Sequence, residues 1–108
     1  MAQDFRNPLF REIGTSDQAL LAGGNYDAVI GIRCCNIFTT TIAVDVKIAK
    51  GGNDFFIAKG VSIPPNSAIE LIQGGAKIVL QSGDTLEAVS DTASSLDVTL
   101  SYIDTISS

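Results

Sequence analysis

The residue types that carry most protein chemistry are distributed unevenly in this sequence of 108 residues. It contains no histidine, and its two cysteines are adjacent at Cys34 and Cys35. Without histidine, neither a Ser-His nor a Cys-His nucleophile pair can form within one chain. The usual zinc sites are excluded in the same way, because they need histidines or a second cysteine pair. Adjacent side chains of a strand face opposite ways, so we expect no disulfide and only Cys34 to be buried.

Carboxylates are the remaining candidates for acid–base chemistry. Most of them lie at predicted turns or at outward-facing strand positions, where hydration explains them, and their spacing does not match a calcium loop. The glycine pairs join predicted strands instead of opening a helix, so they do not form phosphate-binding loops. We therefore predict no catalytic, cofactor-binding or metal-binding residues. The carboxylates considered are Glu70, Asp84, Glu87, Asp91, Asp97 and Asp104.

Composition narrows the classes of partner. The net charge is -5, and the seven basic residues are scattered, so the sequence predicts no direct nucleic-acid binding. No apolar run approaches the roughly 18 residues of a membrane helix, and residues 1–14 lack the apolar centre of a secretory signal. We expect a soluble protein made in the cytoplasm. Hydrophobic residues make up 45% of the sequence, which favours a folded domain over disorder.

Turn-forming residues recur at short intervals and leave segments of strand length between them. This spacing is typical of an antiparallel β-sandwich or barrel, since helices would have little room. The predicted turns are 23–25, 51–53, Gly60, 64–66, 74–75, 82–84 and 91–95.

Alternation of apolar and polar residues supports the same fold class. Residues 41–49 place Ile42, Val44, Val46 and Ile48 on one face, and residues 96–103 repeat the pattern. In residues 28–36 the same rule places Ala28, Ile30, Ile32 and Cys34 in the core, with Val29 and Arg33 on the opposite face. Shorter predicted strands cover residues 18–22, 54–59, 68–72, 76–81 and 85–90.

Two local features carry further expectations. Residues 66–73 allow either a strand or a single helical turn capped by Asn66, and we favour the strand because Ile69 and Leu71 alternate with Glu70. In the adjacent pair Phe55 and Phe56, we expect one ring in the core and the other facing outward.

Residues 1–14 differ from the rest of the chain. Apolar residues alternate with charges there, and Pro8 removes a backbone donor, which suits an extended arm lying along another surface. The alternative is a frayed terminus. We interpret residues 1–14 as an anchoring arm and residues 15–108 as a single domain. The candidate partner interface comprises Phe5, Arg6, Pro8, Leu9, Phe10 and Arg11. Phe5, Leu9 and Phe10 are the candidate anchors, and the two arginines flank them for acidic or carbonyl contacts.

Three stretches of the domain resemble small virion proteins of tailed phages, especially those of marine and cyanobacterial phages. They are AVIGIRCCNIFTTTIAVDVKIAK at residues 28–50, FFIAKGVSIPPNSAIEL at 55–71 and KIVLQSGDTLEAVSDTASSLDVTLSYIDTI at 77–106. The shared pattern comprises a strand pair, a lysine-containing hairpin, a proline step, an SGD turn and a final LDV strand. The adjacent cysteines depart from that pattern, and the arm lies outside it.

The resemblance implies a non-enzymatic structural subunit that resides in the virion. Together with the patterning, it predicts an all-β fold: an antiparallel sandwich of about eight short strands, jelly-roll-like or Ig-like, with an extended N-terminal arm. The leading hypothesis is a capsid decoration or cement protein whose partner is the major capsid protein or another virion protein. A neck, collar, tail or baseplate position and a host-surface or carbohydrate-binding module are the alternatives. Exposed sheet edges also favour self-association into a homo-oligomer.

Overall fold

The structure is a computed structural model, and it describes residues 5–23, 26–72 and 77–104. These residues form ten strands and no helix. The predicted turn at 74–75 and parts of the arm and of the 23–25 turn lie outside the described residues. The strands are β1 Phe5–Arg6, β2 Leu9–Ile13, β3 Gln18–Ala22, β4 Asp27–Asn36, β5 Ile42–Lys50, β6 Asn53–Ile63, β7 Ala68–Glu70, β8 Ile78–Leu80, β9 Thr85–Ser90 and β10 Leu96–Ile103.

The strands form two antiparallel sheets that pack as a sandwich. In the six-stranded sheet, β10 and β4 are central and pair with each other. Strands β1 and β2 pair with the opposite edge of β10, and β7 and β8 pair with the opposite edge of β4. The four-stranded sheet has the order β3-β9-β5-β6. The predicted all-β sandwich is confirmed. Strands β3 to β10 correspond to the eight predicted strands, and the N-terminal segment adds two.

The core between the sheets follows the alternation of the two strongest segments. In β5, Ile42, Val44 and Val46 are fully buried, and in β10 the buried residues are Leu96, Val98 and Leu100. Complete burial of each such side chain contributes about 1.5–3 kcal/mol relative to exposure. The buried faces of these two strands were predicted correctly because every second residue is apolar and buried along the core-facing part of each strand.

Strand β4 corrects one prediction. Register with β10 shifts between Ser101 and Tyr102, which leaves Ile30 as an extra residue in a β-bulge. The bulge reverses the phase, so Val29 is fully buried in the core and Ile30 is only half-buried. The prediction that Ile30 faces the core and Val29 faces outward was therefore wrong.

The predicted turns have different outcomes. Gly51 and Gly52, with φ of 60° and 83°, form the hairpin turn between β5 and β6, where positive φ favours glycine. Gly60 does not end a strand. It lies inside β6 with φ of 63°, at a bulge where its amide donates to Asp45 Oδ1 at 2.7 Å. The predicted strand at 54–59 therefore continues to Ile63.

The ambiguous segment at 66–73 contains a strand, as favoured. Asn66 has φ of 58° and belongs to the turn that precedes β7, and β7 pairs with residues 33–35 of β4. The carboxylate of Glu70, the last residue of β7, accepts the amide of Ile32 at 2.7 Å, and the amide of the following Leu71 donates to the Ile32 carbonyl at 2.9 Å. These bonds hold the chain against β4 past the end of the strand.

The pair Phe55 and Phe56 also corrects a prediction, because both rings are exposed, at 58% and 43%. Phe55 pairs with Ile48 and shares its core-facing side, but β6 is an edge strand and the ring is not covered there. Phe56 faces outward, with the Nζ of Lys59 4.2 Å from its ring centroid. Alternation correctly predicted that the two rings lie on opposite sides of the sheet. It did not predict the exposure of Phe55, which depends on whether other side chains cover the edge strand.

Candidate attachment surface

The described part of the N-terminal segment lies along the outer side of β10. Phe5 pairs with Ile103, Leu9 with Thr99, and the ladder continues to Ile13 opposite Leu96. No clean strand was predicted here because Pro8 lacks an amide and a bulge breaks the alternation. Pro8 nevertheless accepts a hydrogen bond from the Leu100 amide through its carbonyl at 3.1 Å. The segment is extended, as expected, and it pairs within its own sheet.

Pairing with β10 divides the predicted anchors between two faces. Phe10 lies opposite Val98 and packs against the core, and Ile13 is buried within it. Leu9, opposite Thr99, faces outward and is 71% exposed, and Phe5 is 76% exposed. Phe5 and Leu9 are thus the most exposed large apolar side chains in the described residues. The structure separates them from Phe10, which helps to hold the segment in place.

The two predicted arginines differ in their contacts. Arg6 Nε lies 2.9 Å from Asp104 Oδ2, so this side chain joins β1 to the residue that follows β10. Arg11 is highly exposed and lies 3.6 Å from Glu12 Oε2. An exposed pair of this kind contributes about 0–1 kcal/mol, so Arg11 can exchange its partner at little cost.

A bulge shapes the surface next to Leu9. Arg11 and Glu12 together face the single residue Asp97, and Glu12 has φ of 55°. The amide of Glu12 donates to Asp97 Oδ1 at 2.9 Å. A shallow groove lies between β2 and β10 beside this bulge. It is lined by Leu9, Phe10, Arg11, Asp97, Val98 and Thr99.

An apolar row continues from Phe5 across the outer face of the six-stranded sheet. Phe5 pairs with Ile103, Ile103 with Ala28, and Ala28 with Val79. Val79 is 46% exposed, and the small Ala28 is buried between larger neighbours. This row is not apparent in the sequence because its members come from four strands. The phase reversal at Ile30 also placed Ala28 on the face opposite to the one predicted.

Among the carboxylates considered for acid–base chemistry, Asp84 is the buried one, and its contacts are structural. Asp84 is buried at the turn before β9, and its Oδ2 accepts the Gln81 amide at 2.9 Å. Lys50 Nζ lies 3.1 Å from the other oxygen. The Gln81 hydrogen bond and the neighbouring Lys50 lower the pKa of Asp84 against the opposing effect of burial. An ionised carboxylate held in this way fixes a turn.

Lys47 is a buried cation on the outward face of β5. Its Nζ lies 3.0 Å from Asp17 Oδ2 and 3.1 Å from Asp54 Oδ2. Hydrogen bonds to Asp17 and Asp54 raise the pKa of Lys47. The ammonium group thereby connects the loop before β3, strand β5 and strand β6. The contact with Asp17 was not visible in the sequence because Asp17 and Lys47 are 30 residues apart in the chain.

The adjacent cysteines are both free, as expected. Cys34 is fully buried in the core, and Cys35 is half-buried on the other face of β4. Burial, with a smaller contribution from the negative charge of Glu70, raises the pKa of Cys34 to about 12. A thiol in this state is a packing residue and a poor nucleophile.

Across residues 5–23, 26–72 and 77–104, no cluster of three or more cysteine, aspartate or glutamate side chains is placed to hold a metal ion. The same residues include no helix long and apolar enough to cross a membrane. Comparison with known proteins finds no matching family and no matching curated protein.

Proposed function

We propose that this protein is a non-enzymatic structural subunit of a tailed-phage virion, attached to the capsid surface as a decoration protein. The observation that carries the proposal is the exposure of Phe5 and Leu9 on the outer face of the six-stranded sheet. Exposed apolar side chains that cluster on one face are typical of interaction sites. The sequence resemblance to small virion proteins is the reason for proposing a location in the virion and a virion protein as the partner.

The packing of the N-terminal segment narrows the residues available for the proposed attachment. Phe10 and Ile13 pack toward the core, so the surface offered to the capsid protein consists of Phe5, Leu9 and Arg11. Backbone pairing with β10 holds these side chains in a fixed arrangement. A preorganised surface loses less conformational entropy on binding than a flexible arm does.

The test is co-sedimentation of the purified protein with empty capsids of the phage that encodes it. The double variant Phe5→Ser with Leu9→Ser removes both anchors and leaves the buried residues of β2 unchanged. We expect it to bind at least about tenfold more weakly, since each lost anchor costs more than about 1 kcal/mol. Phe38→Ser is the matched control, because it removes an exposed phenylalanine from the loop between β4 and β5. This control should bind as the wild type does.

Thermal unfolding should show that both variants remain folded. Undiminished capsid binding by the double variant would contradict attachment through the N-terminal segment. Binding of the wild type to connector or tail complexes, but not to capsids, would contradict the decoration role. Absence of binding to every virion component would contradict the proposal as a whole.

A further inference from the structure

The segment that contains β1 and β2 forms an edge of the six-stranded sheet. In the part of the chain that the structure describes, both strands pair with β10 on one side and with no strand on the other. The ladder begins where Phe5 pairs with Ile103. Five residues further along each strand, Phe10 pairs with Val98, so no extra residue interrupts the ladder between these pairs. Residues 5–10 therefore form one regular edge, and the bulge in β2 begins after them.

The hydrogen bonds to β10 show which backbone groups of this edge are open. The Leu100 amide donates to the Pro8 carbonyl at 3.1 Å, so the backbone of Pro8 is directed toward β10. Successive residues of a strand direct their amides and carbonyls to opposite sides. The amides and carbonyls of Phe5, Asn7 and Leu9 therefore point away from β10. The proline does not block this edge, because the amide that it lacks would face β10.

This edge is complementary to itself in an antiparallel pair of two copies. When Asn7 of one copy lies opposite Asn7 of the other, Phe5 of each copy lies opposite Leu9 of the other. All three residues direct their backbone groups to the open side, so each facing pair can exchange two hydrogen bonds. Facing residues must lie on the same side of the sheet, and these three alternate residues share its outer face. Asn7 contacts Ser101 on that face, with Ser101 Oγ 3.4 Å from Asn7 Oδ1.

The side chains of this edge favour the same pairing. Phe5 and Leu9 are 76% and 71% exposed in one copy, and each gains an apolar neighbour across the pair. On the core-facing side of the segment, Arg6 lies opposite Pro8 of the other copy. Arg6 Nε lies 2.9 Å from Asp104 Oδ2, so its charge has a partner within its own copy. The register therefore sets no charged residues of this edge directly opposite each other.

We propose that two copies of this protein associate through the edge formed by residues 5–9. The strands pair antiparallel about a twofold axis that passes between the two Asn7 residues, and the two six-stranded sheets become one continuous sheet. An open edge strand is a template for this kind of pairing. A twofold interface is closed, so it limits association to a dimer.

The pairing would also join the apolar rows of the two copies. In each copy the row runs through Phe5, Ile103, Ala28 and Val79. The twofold axis is perpendicular to the sheet, so both outer faces lie on the same side of the dimer. Phe5 of each row then adjoins Leu9 of the other copy. The dimer presents a larger apolar surface on one side than a single copy does.

Sedimentation velocity of the protein alone over a concentration series tests the pairing, and the wild type should shift from monomer to dimer as its concentration rises. Asn7→Pro removes the amide that bonds across the axis, whereas the matched control Asn7→Ala keeps it. In a single copy this amide points away from the sheet, where proline is tolerated, and thermal unfolding will check that the fold is retained. We expect Asn7→Pro to associate at least about tenfold more weakly than Asn7→Ala.

Charges at the facing positions 5 and 9 test the register independently. Phe5→Glu alone and Leu9→Lys alone should each associate at least about tenfold more weakly than the wild type, because each places a charge opposite an apolar side chain twice in the dimer. The double variant should associate more tightly than either single variant, because facing positions then carry opposite charges. Val79→Glu is the control, because it adds the same charge at the far end of the same row, and it should associate as the wild type does.

A wild type that remains monomeric up to millimolar concentrations would overturn the proposal. So would equal association of Asn7→Pro and Asn7→Ala, because the dimer would then form through another surface. A double variant that associates no more tightly than the single variants would contradict the register. These measurements use no capsids, so dimerisation and the proposed capsid attachment can succeed or fail separately.

Discussion

At the scale of single residues, Cys34 links the packing of the core to pH. The pKa of its thiol is about 12 in the folded protein and 9.0 for an unperturbed cysteine, so the folded state holds the proton more tightly. The stability that this difference supplies is complete below about pH 9 and is lost as the pH rises toward about 12. We therefore expect the free energy of unfolding to fall with rising pH faster in the wild type than in Cys34→Ala. Urea unfolding at about pH 8 and about pH 10 provides the measurement.

A thiol reagent gives an independent check on the same residue. In the native protein only the half-buried Cys35 should react, and both thiols should react after unfolding. Rapid reaction of two thiols in the native state would show that Cys34 is not shielded as the structure indicates.

Gly23 provides a second prediction at the residue scale, because it lies very close to the neighbouring backbone. A Cβ atom at this position would come 2.3 Å from the Gln81 carbonyl oxygen, while the Gly23 amide donates to the Asp84 carbonyl at 2.7 Å. We expect Gly23→Ala to destabilise the fold by about 1–3 kcal/mol, the usual cost of overpacking. Gly31→Ala is the control, because its Cβ would meet its nearest neighbour at 3.6 Å, an ordinary contact. Equal melting temperatures for the two variants would contradict this account.

At the scale of elements, residues 5–13 of the segment interpreted as an anchoring arm pair with β10 in the six-stranded sheet. Deleting residues 1–13 would remove the buried Ile13, withdraw Phe10 from the core and uncover the edge of β10. We expect the truncated protein to be less stable and prone to aggregation, because the exposed edge of a central strand can pair with other chains. Circular dichroism and light scattering would measure both effects. A truncated protein that unfolds at the wild-type temperature would contradict this prediction.

Ile13→Ala isolates the core contribution of the same segment. It should cost about 2–5 kcal/mol, as for other buried isoleucines, without exposing β10. Leu9→Ala serves as the comparison, because Leu9 is exposed on the same strand, and it should change stability by no more than about 0.5 kcal/mol.

The elements also show where sequence patterns stop being informative. The strands β3 and β9 have the predicted bounds, and β5 and β10 have the predicted buried faces. The errors at Ile30 and Gly60, and the unrecognised strand β2, all coincide with β-bulges. A bulge is defined by two residues facing one residue of a partner strand, so the sequence of one strand alone does not specify it.

At the scale of the whole molecule, the proposed attachment surface and the exposed pair Phe55 and Phe56 lie on different sheets. Phe5 and Leu9 belong to the six-stranded sheet, whereas Phe55 and Phe56 lie on the edge strand of the four-stranded sheet. Changes at separate sites usually have independent energetic effects. We therefore expect Phe55→Ser to co-sediment with capsids as the wild type does. Weaker co-sedimentation of that variant would mean that the four-stranded sheet also contributes to attachment.

The sequence by itself determined the all-β class, most of the strands and the candidate anchors. These follow from local properties, namely alternation with a period of two and the residues that favour turns. Only the tertiary structure decided that Phe10 faces inward while Phe5 and Leu9 face outward, that both Phe55 and Phe56 are exposed, and that Ala28 joins an apolar row. Each of these depends on which strand lies alongside and whether the opposite sheet covers the side chain. Such contacts are made between residues far apart in the chain, so no local pattern records them.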